Sequence, residues 1–439
     1  MIPLGYDPGV YRGIYIAYLN LAPVFQFTHV PYRIMHEPLR GILSVFFSKI
    51  GISIDIFLTF GLGFFSILGG FLVFLVIKKY SKQAAIFAMI LFWVSIVQYH
   101  AFELCYYKQI LGINLMLTLL YFRNSKKYRV SLPFLIALIL LHRTTTVYLG
   151  ATTFFYIIMQ FFSTKTFDKK LIYIWILGLI VGLPLYGTLF QRLILDFFQP
   201  LVTTFGGTGI QGDFFTRSEF LRFVMFLIVP TGYGIYLKIK KKEYDLLFAG
   251  LLVGILWVSI GMLNANRMQL FLDLFMILMT GYALLSIFEQ KKKRLVGLLY
   301  LGISLQIIYY YGYVSQNNTQ WISPWEFETI RTVKDIVPEN GIVIGTDSYL
   351  SPWIVGYADR DWITPGLSDI NQMTHAEWRQ RRPASGEQKC KMFERYKELQ
   401  RPLYLRESKW FREENLSGGI CFKLIRSDEY HNLYEIILP

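Results

Sequence analysis

Seven apolar stretches of about 20 residues, separated by short basic runs, constrain this chain more than any other feature. They cover 55–77, 84–104, 171–190, 219–237, 246–262, 268–288 and 295–313. A helix rising about 1.5 Å per residue crosses a bilayer core in that length. Between the stretches lie five basic clusters: Lys78, Lys79 and Lys82; Arg123, Lys126, Lys127 and Arg129; Lys165, Lys169 and Lys170; Lys238, Lys240, Lys241 and Lys242; Lys291, Lys292, Lys293 and Arg294. These hold much of the formal net charge of +14. Charge confined to short loops between apolar segments marks cytoplasmic loops, not a nucleic-acid surface.

If all five clusters face the cytoplasm, each interval between them holds an even number of crossings, which brings the total to about ten. Two intervals fit only with short or re-entrant arms. From Val130 to Phe162 there are 33 residues with LHRTTT in the middle. The arm before His142 spans roughly 18 Å, less than the roughly 30 Å of hydrocarbon. The return from Lys108 to Phe122 is roughly 22 Å. His100, Glu103, Tyr106, Tyr107, Lys108, His142 and Arg143 therefore lie below the outer surface of the membrane. Ionisable groups at that depth cost about 2.5 to 3.5 kcal/mol each unless they meet water or partners, so they imply a polar cavity open to the outside.

The expected class is mainly α: a polytopic bundle over 55–313, preceded by an outer segment 1–54 and followed by an extracytoplasmic α/β domain over 314–439. In the tail, WEFETIRTVKDIV has helical spacing. NGIVIGTD reads as a turn and buried strand, PLYLR as a strand, and CFKLIRSDEYHNLYEIIL as a hairpin. No glycine-rich phosphate turn accompanies GIVIGTD. Of three cysteines, Cys390 and Cys421 share this tail and can pair. By parity both ends of the chain lie outside. The start at residue 1 then implies either a preceding helix or an outer segment drawn across by the next span.

Two carboxylates stand in the outer segment: Asp7, in GYDPGVY with Tyr11, and Glu37, in RIMHEPLRGIL with His36 and Arg40. Beside a cavity lined by Lys108, Arg143 and Arg267, one carboxylate can take a proton from a hydroxyl while the cations neutralise an anionic leaving group. The plainer reading has Asp7 capping a turn and Glu37 paired with Arg33 or Arg40. For His142 and Arg143 it is a polar knot inside a helical hairpin, with Thr144 to Thr146 bonding back to the backbone. Arg267 either snorkels at the interface or holds a lipid phosphate, for which its rigid fork is suited. Asp273 reads as a partner within the bundle. The loop 191–218 has apolar anchors about a glycine-rich centre, which fits a lid or an interfacial helix.

Together GYDPGVY, HEPLRGIL, LLHRTTT, NANRMQLFLDLFMIL and the tail from Thr329 to Arg360 make the chain resemble the GT-C superfamily of polytopic glycosyltransferases. The resemblance implies a sugar donor carried on polyprenyl phosphate at the outer leaflet of the plasma membrane. It also implies inverting transfer to a glycan, lipid or protein hydroxyl, Asp7 as base or metal ligand with Glu37 beside it, and Arg267 on the donor phosphate. The family's first helix and a second carboxylate adjacent to Asp7 are absent. A divalent cation, magnesium or manganese, is the one cofactor left open, and no nucleic acid is expected. Two rivals stand. A polysaccharide polymerase or ligase using lipid-linked glycans shares the topology. A transporter or lipid-carrier flippase would show repeated halves, and no repeat is visible.

Overall fold

The computed structural model describes residues 9, 11–13, 46, 49–125, 127–186, 214–261, 265–289, 293–317, 322–345, 350–364, 373–374, 377–378, 380, 384–408, 421–429 and 431–438. The chain divides into two compact units. One comprises 37–39 and 60–319; the other gathers 1–36, 40–59 and 320–439.

The larger unit is helical. Its elements are α1 (Ile54–Lys78, whose first residues belong to the other unit), α2 (Lys82–Trp93), α3 (Ile96–Glu103), α4 (Tyr107–Asn124), α5 (Tyr128–Leu141), α6 (Arg143–Thr164), α7 (Lys169–Gly182), α8 (Arg217–Phe223), α9 (Met225–Lys241), α10 (Leu246–Ile260), α11 (Ala265–Glu289) and α12 (Lys293–Asn317). Three of the described helices, α1, α6 and the first 24 residues of α11, are long and apolar enough to cross a bilayer alone. The pairs α2–α3 and α8–α9 qualify as bent spans, broken by 45° and 78°. The apolar stretch 84–104 is therefore two helices. Ser95 breaks it by accepting the Gln98 amide at 3.2 Å, which starts α3 as a new helix.

Helix α11 is the axis of the unit. It is apolar on every side, and 94% of its spanning window is buried. It packs against α2, α3, α9 and α10. Close approach is provided by Gly250 against Phe275 and Gly234 against Met279. Its one buried carboxylate, Asp273, accepts from Ser95 and Gln98 at 2.8 Å each, as expected of a partner within the bundle.

One end of the bundle collects the basic loops. Lys238, only 1% exposed, lies 2.8 Å from Asp245 and 3.3 Å from Glu243. Tyr80 donates to Asp245 and Tyr282 to Glu243, at 2.9 and 2.7 Å. Arg123 bonds Asp168 at 2.9 Å. Lys79 feels the charges of Lys238, Asp245, Glu243 and Arg123, so four of the five basic clusters converge at this end.

The second unit contains a five-stranded sheet in the order β2-β1-β3-β5-β4, with β1 Ile342–Gly345, β2 Asp361–Ile363, β3 Leu403–Ser408, β4 Phe422–Ser427 and β5 His431–Ile436. Strand β1 is parallel to β2 and β3; β5 is antiparallel to β3 and β4. Alternation along β1 serves two cores. Ile342 and Ile344 pack with Phe393 and Tyr396, while Val343 packs with Phe327, Ile330 and Trp353. The flanking helices are α13 (Pro324–Arg331), α14 (Ser351–Tyr357) and α15 (Gly386–Glu394). Cys390 and Cys421 form a disulfide.

The start of the chain belongs to this unit. Gly9 lies against the Pro352 carbonyl and Gly356 against the Gly9 backbone, so closely that a Cβ at either position would overlap them. Arg12 donates to the Gly356 carbonyl, pairs with Asp55 at 3.4 Å and stacks 4.6 Å over Tyr357. Tyr357 donates to Asp55 at 2.9 Å. Tyr11 is 9% exposed in the same segment.

Candidate functional site

The end of the bundle opposite the basic loops is built around a tight turn between α3 and α4. Cys105 adopts φ 58°, and the amides of Cys105 and Tyr106 donate to Phe102 and Ala101, both at 2.9 Å. This pair of bonds is a Schellman closure. It sends Tyr106 directly into the start of α4 and leaves His100 and Glu103 on the last turn of α3. Segment 214–216 lies beside them. His100 stacks on Phe215 at 4.3 Å, and Phe214 touches both His100 and Tyr106, at 5.1 and 6.1 Å. Gln269 of α11 holds this segment by donating to the Phe215 carbonyl at 3.0 Å. From α12, Tyr313 packs edge-on to Phe223 at 5.4 Å, and its hydroxyl approaches His100 Nδ1 at 3.4 Å.

Arg267, in the first turn of α11, extends over the Tyr106 ring at 5.1 Å. Gln109 of α4 donates to the Arg267 backbone carbonyl at 3.4 Å. Arg267 Nε is buried without a hydrogen-bond partner, and among the described residues Arg267 makes no ion pair. Lys108 stands in the first turn of α4 and Arg143 in that of α6; both have partners. Gly112 of α4 lies against Thr145 and His142 of the α6 start, so the N-termini of α4, α6 and α11 gather about α4. Each therefore carries a cation at the positive end of its helix dipole, where a cation is disfavoured. An anion among these ends would be met by three helix termini and three cationic side chains.

Of the expected cavity residues, His100, Glu103, Lys108, Arg143 and Arg267 lie at this end. Tyr107 is 5% exposed and packs on Phe65, while His142 caps α6: its Nδ1 lies 2.6 Å from the Thr145 hydroxyl. Thr146 bonds back to Leu138 and His142, the polar knot that the sequence left open. Tyr11 sits in the sheet-bearing unit. Asp7, His36, Glu37, Arg40 and 191–213 of the lid-like loop lie outside the described residues. No three His, Cys, Asp or Glu side chains converge as metal ligands among the described residues, and no step is assigned to a metal. Sequence reasoning missed Phe214, Phe215, Gln109 and Tyr313. The double phenylalanine in GDFFTRS was the only signal among them.

An apolar groove of about 310 Å³ adjoins this cluster, lined by Trp93, Tyr99, Phe102, Ile110, Ile113 and Tyr310 among others. Tyr99 and Phe102 are on the same short helix as His100 and Glu103, so groove and polar cluster occupy neighbouring faces of α3.

The family described as the EpsG family matches residues 3–327. The chain belongs to the EpsG family. No curated protein matches it in sequence. Among solved structures it is similar to the Archaeoglobus fulgidus oligosaccharyltransferase in the apo form, with a TM-score of 0.63 and 12% identity over 92% of this chain and 66% of that one. The oligosaccharyltransferase AglB from the same organism, in complex with an inhibitory peptide and a dolichol-phosphate, gives a TM-score of 0.61, 14% identity and the same coverage. The chain thus spans just under two thirds of those proteins. ArnT from Cupriavidus metallidurans in the apo state matches over 99% of this chain and 94% of its own, with a TM-score of 0.62 and 11% identity. Family and fold together make this a GT-C superfamily member with a multi-pass membrane bundle.

Proposed function

We propose that this EpsG-family protein is an inverting glycosyltransferase that moves a sugar from a polyprenyl-phosphate carrier to an acceptor hydroxyl at the outer leaflet of the plasma membrane. The observation that carries the reading is the gathering of three helix N-termini, each with a cation, about α4, one of them carrying an Arg267 that makes no ion pair among the described residues. Such a site fits a phosphate better than a neutral sugar. The groove beside α3 suits the prenyl chain of the same lipid.

In this mechanism the acceptor oxygen attacks the anomeric carbon from the face opposite the phosphate, and the bond from that carbon to the phosphate oxygen breaks. Phosphate leaves once its charge is neutralised, so the protein must supply position, a proton acceptor and cations. Arg267 grips the leaving phosphate with its planar fork, and Lys108 and Arg143 add charge. Asp7 and Glu37 are the proposed carboxylates on the acceptor side. Two features support an outward-facing site. Basic loops mark the cytoplasmic end, so α12 runs outward from its basic start, and the Cys390–Cys421 disulfide belongs to an oxidising compartment.

A polymerase or ligase that uses lipid-linked glycans is the second reading. The likeness to AglB, solved in complex with an inhibitory peptide and a dolichol-phosphate, favours it. Both readings need the phosphate grip. The test is release of polyprenyl phosphate, followed by mass spectrometry, from a panel of undecaprenyl-phosphate-linked hexoses and oligosaccharides supplied to the full chain in proteoliposomes. Release with inversion supports transfer, and the preferred glycan length separates the two readings. Arg267→Ala protein that turns over donor at the wild-type rate would refute the phosphate grip.

A further inference from the structure

The transfer reaction requires a group that takes the acceptor's proton, and the bundle contains a candidate for it that competes with Asp7, which lies outside the described residues. We propose that His100 is a catalytic proton acceptor and Glu103 its positioning residue; the inference rests on the transfer reaction proposed above. Glu103 Oε2 lies 3.0 Å from His100 Nδ1. With the carboxylate accepting from Nδ1–H, the imidazole is held as the tautomer whose Nε2 carries a lone pair. Nδ1 is also the atom that the Tyr313 hydroxyl approaches, at 3.4 Å, so both polar neighbours are on that side of the ring. Nε2 has no hydrogen-bond partner among the described residues. The ring is fixed in orientation by stacking on Phe215 at 4.3 Å and 24°, with Phe214 at 5.1 Å.

A purely structural account of the pair is weak. His100 and Glu103 are three residues apart on one helix, so their contact ties no two elements together. Both side chains are nevertheless largely withdrawn from water, 18% and 13% exposed. Arg123 and Asp168, by contrast, join segments 45 residues apart. The pair is also connected to the phosphate-binding end through Phe214, Tyr106 and Arg267 in succession. That chain of ring contacts places a proton acceptor and an anion clamp at one end of one bundle, the two groups that displacement at an anomeric carbon needs.

The step balances without a co-reactant. The acceptor oxygen forms its bond to the anomeric carbon and loses its proton to His100 Nε2. The carbon–oxygen bond to phosphate breaks, its electron pair leaves with the phosphate, and Arg267 neutralises that charge. The imidazolium is stabilised by Glu103 and returns its proton to water. Among the described residues, the charged and titratable groups near His100 are Glu103 on its own helix, Tyr313 from α12, and Glu219 from α8, which in turn feels Arg222.

The experiment uses full-length protein in proteoliposomes with the undecaprenyl-phosphate-linked donors, and reads kcat, donor KM and their pH profile. His100→Gln is expected to lower kcat about 100-fold or more at unchanged donor KM and to abolish the acidic limb of the wild-type profile. Glu103→Gln should lower kcat about tenfold, and Glu103→Asp should recover most of that loss. Wild-type kcat or a retained acidic limb in His100→Gln overturns the assignment while leaving glycosyl transfer intact. Should wild-type protein release polyprenyl phosphate from no donor, the transfer reading falls. A substrate-free arm then decides the pair alone: carbethoxylation of His100 by diethyl pyrocarbonate, followed by peptide mass spectrometry. Glu103→Gln should slow it several-fold, and equal rates in the two proteins overturn the pairing.

Discussion

At one end of the bundle Lys238 lies between two carboxylates, its ammonium 3.8 Å from the Tyr282 ring, and each of those carboxylates also accepts from a tyrosine hydroxyl. At the other end Arg267 covers one aromatic ring and leaves Nε buried without a hydrogen-bond partner. Lys238 is answered within the fold, whereas Arg267 makes no ion pair among the described residues. Burying an ion is tolerable when its partners are built in, and costs several kcal/mol when they are not. A compensated cluster is explained by the structure it holds. An arginine without an ion pair among the described residues is what the proposed phosphate site needs, so the basic end serves as the structural reference against which that proposal is tested.

Substitutions can break this contrast or sharpen it. Lys238→Ala leaves two carboxylates facing each other and should destabilise the bundle by about 3 to 5 kcal/mol, read from thermal or denaturant unfolding in detergent. Adding Glu243→Gln and Asp245→Asn should recover much of that loss; a single variant as stable as wild type would erase the distinction between the ends. Arg267→Ala should do the reverse. Donor turnover should fall about 10²- to 10³-fold, or about 2.7 to 4 kcal/mol of transition-state stabilisation, with the unfolding midpoint unchanged or raised. Loss of stability instead would make Arg267 another fold-holding cation.

The sheet-bearing unit supplies two further tests. Cys390→Ser with Cys421→Ser opens a link between residues 31 apart and should cost that unit about 2 to 4 kcal/mol, followed by proteolysis of the tail. The smallest expected effect is on acid stability. The Glu377 carboxyl is held down to about 2, against an ordinary 4.5, by the Thr374 amide, the Arg395 guanidinium and the Thr374 hydroxyl. Its folded value lies below its unfolded value, so its contribution is complete above about pH 4.5 and fades as pH falls toward 2. Trp378 fluorescence should report that loss, and Glu377→Gln should flatten the acid titration between those limits. A wild-type acid transition in the variant would remove Glu377 from the account.

Much of the bundle was legible because hydropathy and charge are local properties. The basic clusters predicted a common side from sequence alone, and four of them meet through Lys238, Asp245 and Arg123. Breaks were harder to see. The stretch 84–104 contains enough apolar residues for one span, and only Ser95 with Gln98 three residues on hinted at the cap that divides it. Arg267 stood out because an arginine beside an apolar run is conspicuous. Its setting did not, since the contacts of His100 with Phe214 and Phe215 join residues more than a hundred positions apart. His142 shows the opposite limit: a histidine in an apolar segment signals a polar task, yet sequence cannot separate lining a cavity from capping a helix. Asp7 and Glu37 rest on the family resemblance and the proposed chemistry.

The seam between Gly9, Arg12 and Gly356 has a consequence for biogenesis. Arg12 must wait for a carbonyl 344 residues downstream. At a synthesis rate of about 5 to 20 residues per second that delay is roughly 17 to 70 seconds. During it the opening segment has emerged and the helices are inserting one after another; Asp55 is made early, but the Gly356 carbonyl and the Tyr357 ring are not. Truncation before α14 would therefore remove the Gly356 and Tyr357 contacts of Arg12, so this seam closes only after every helix of the bundle has been made.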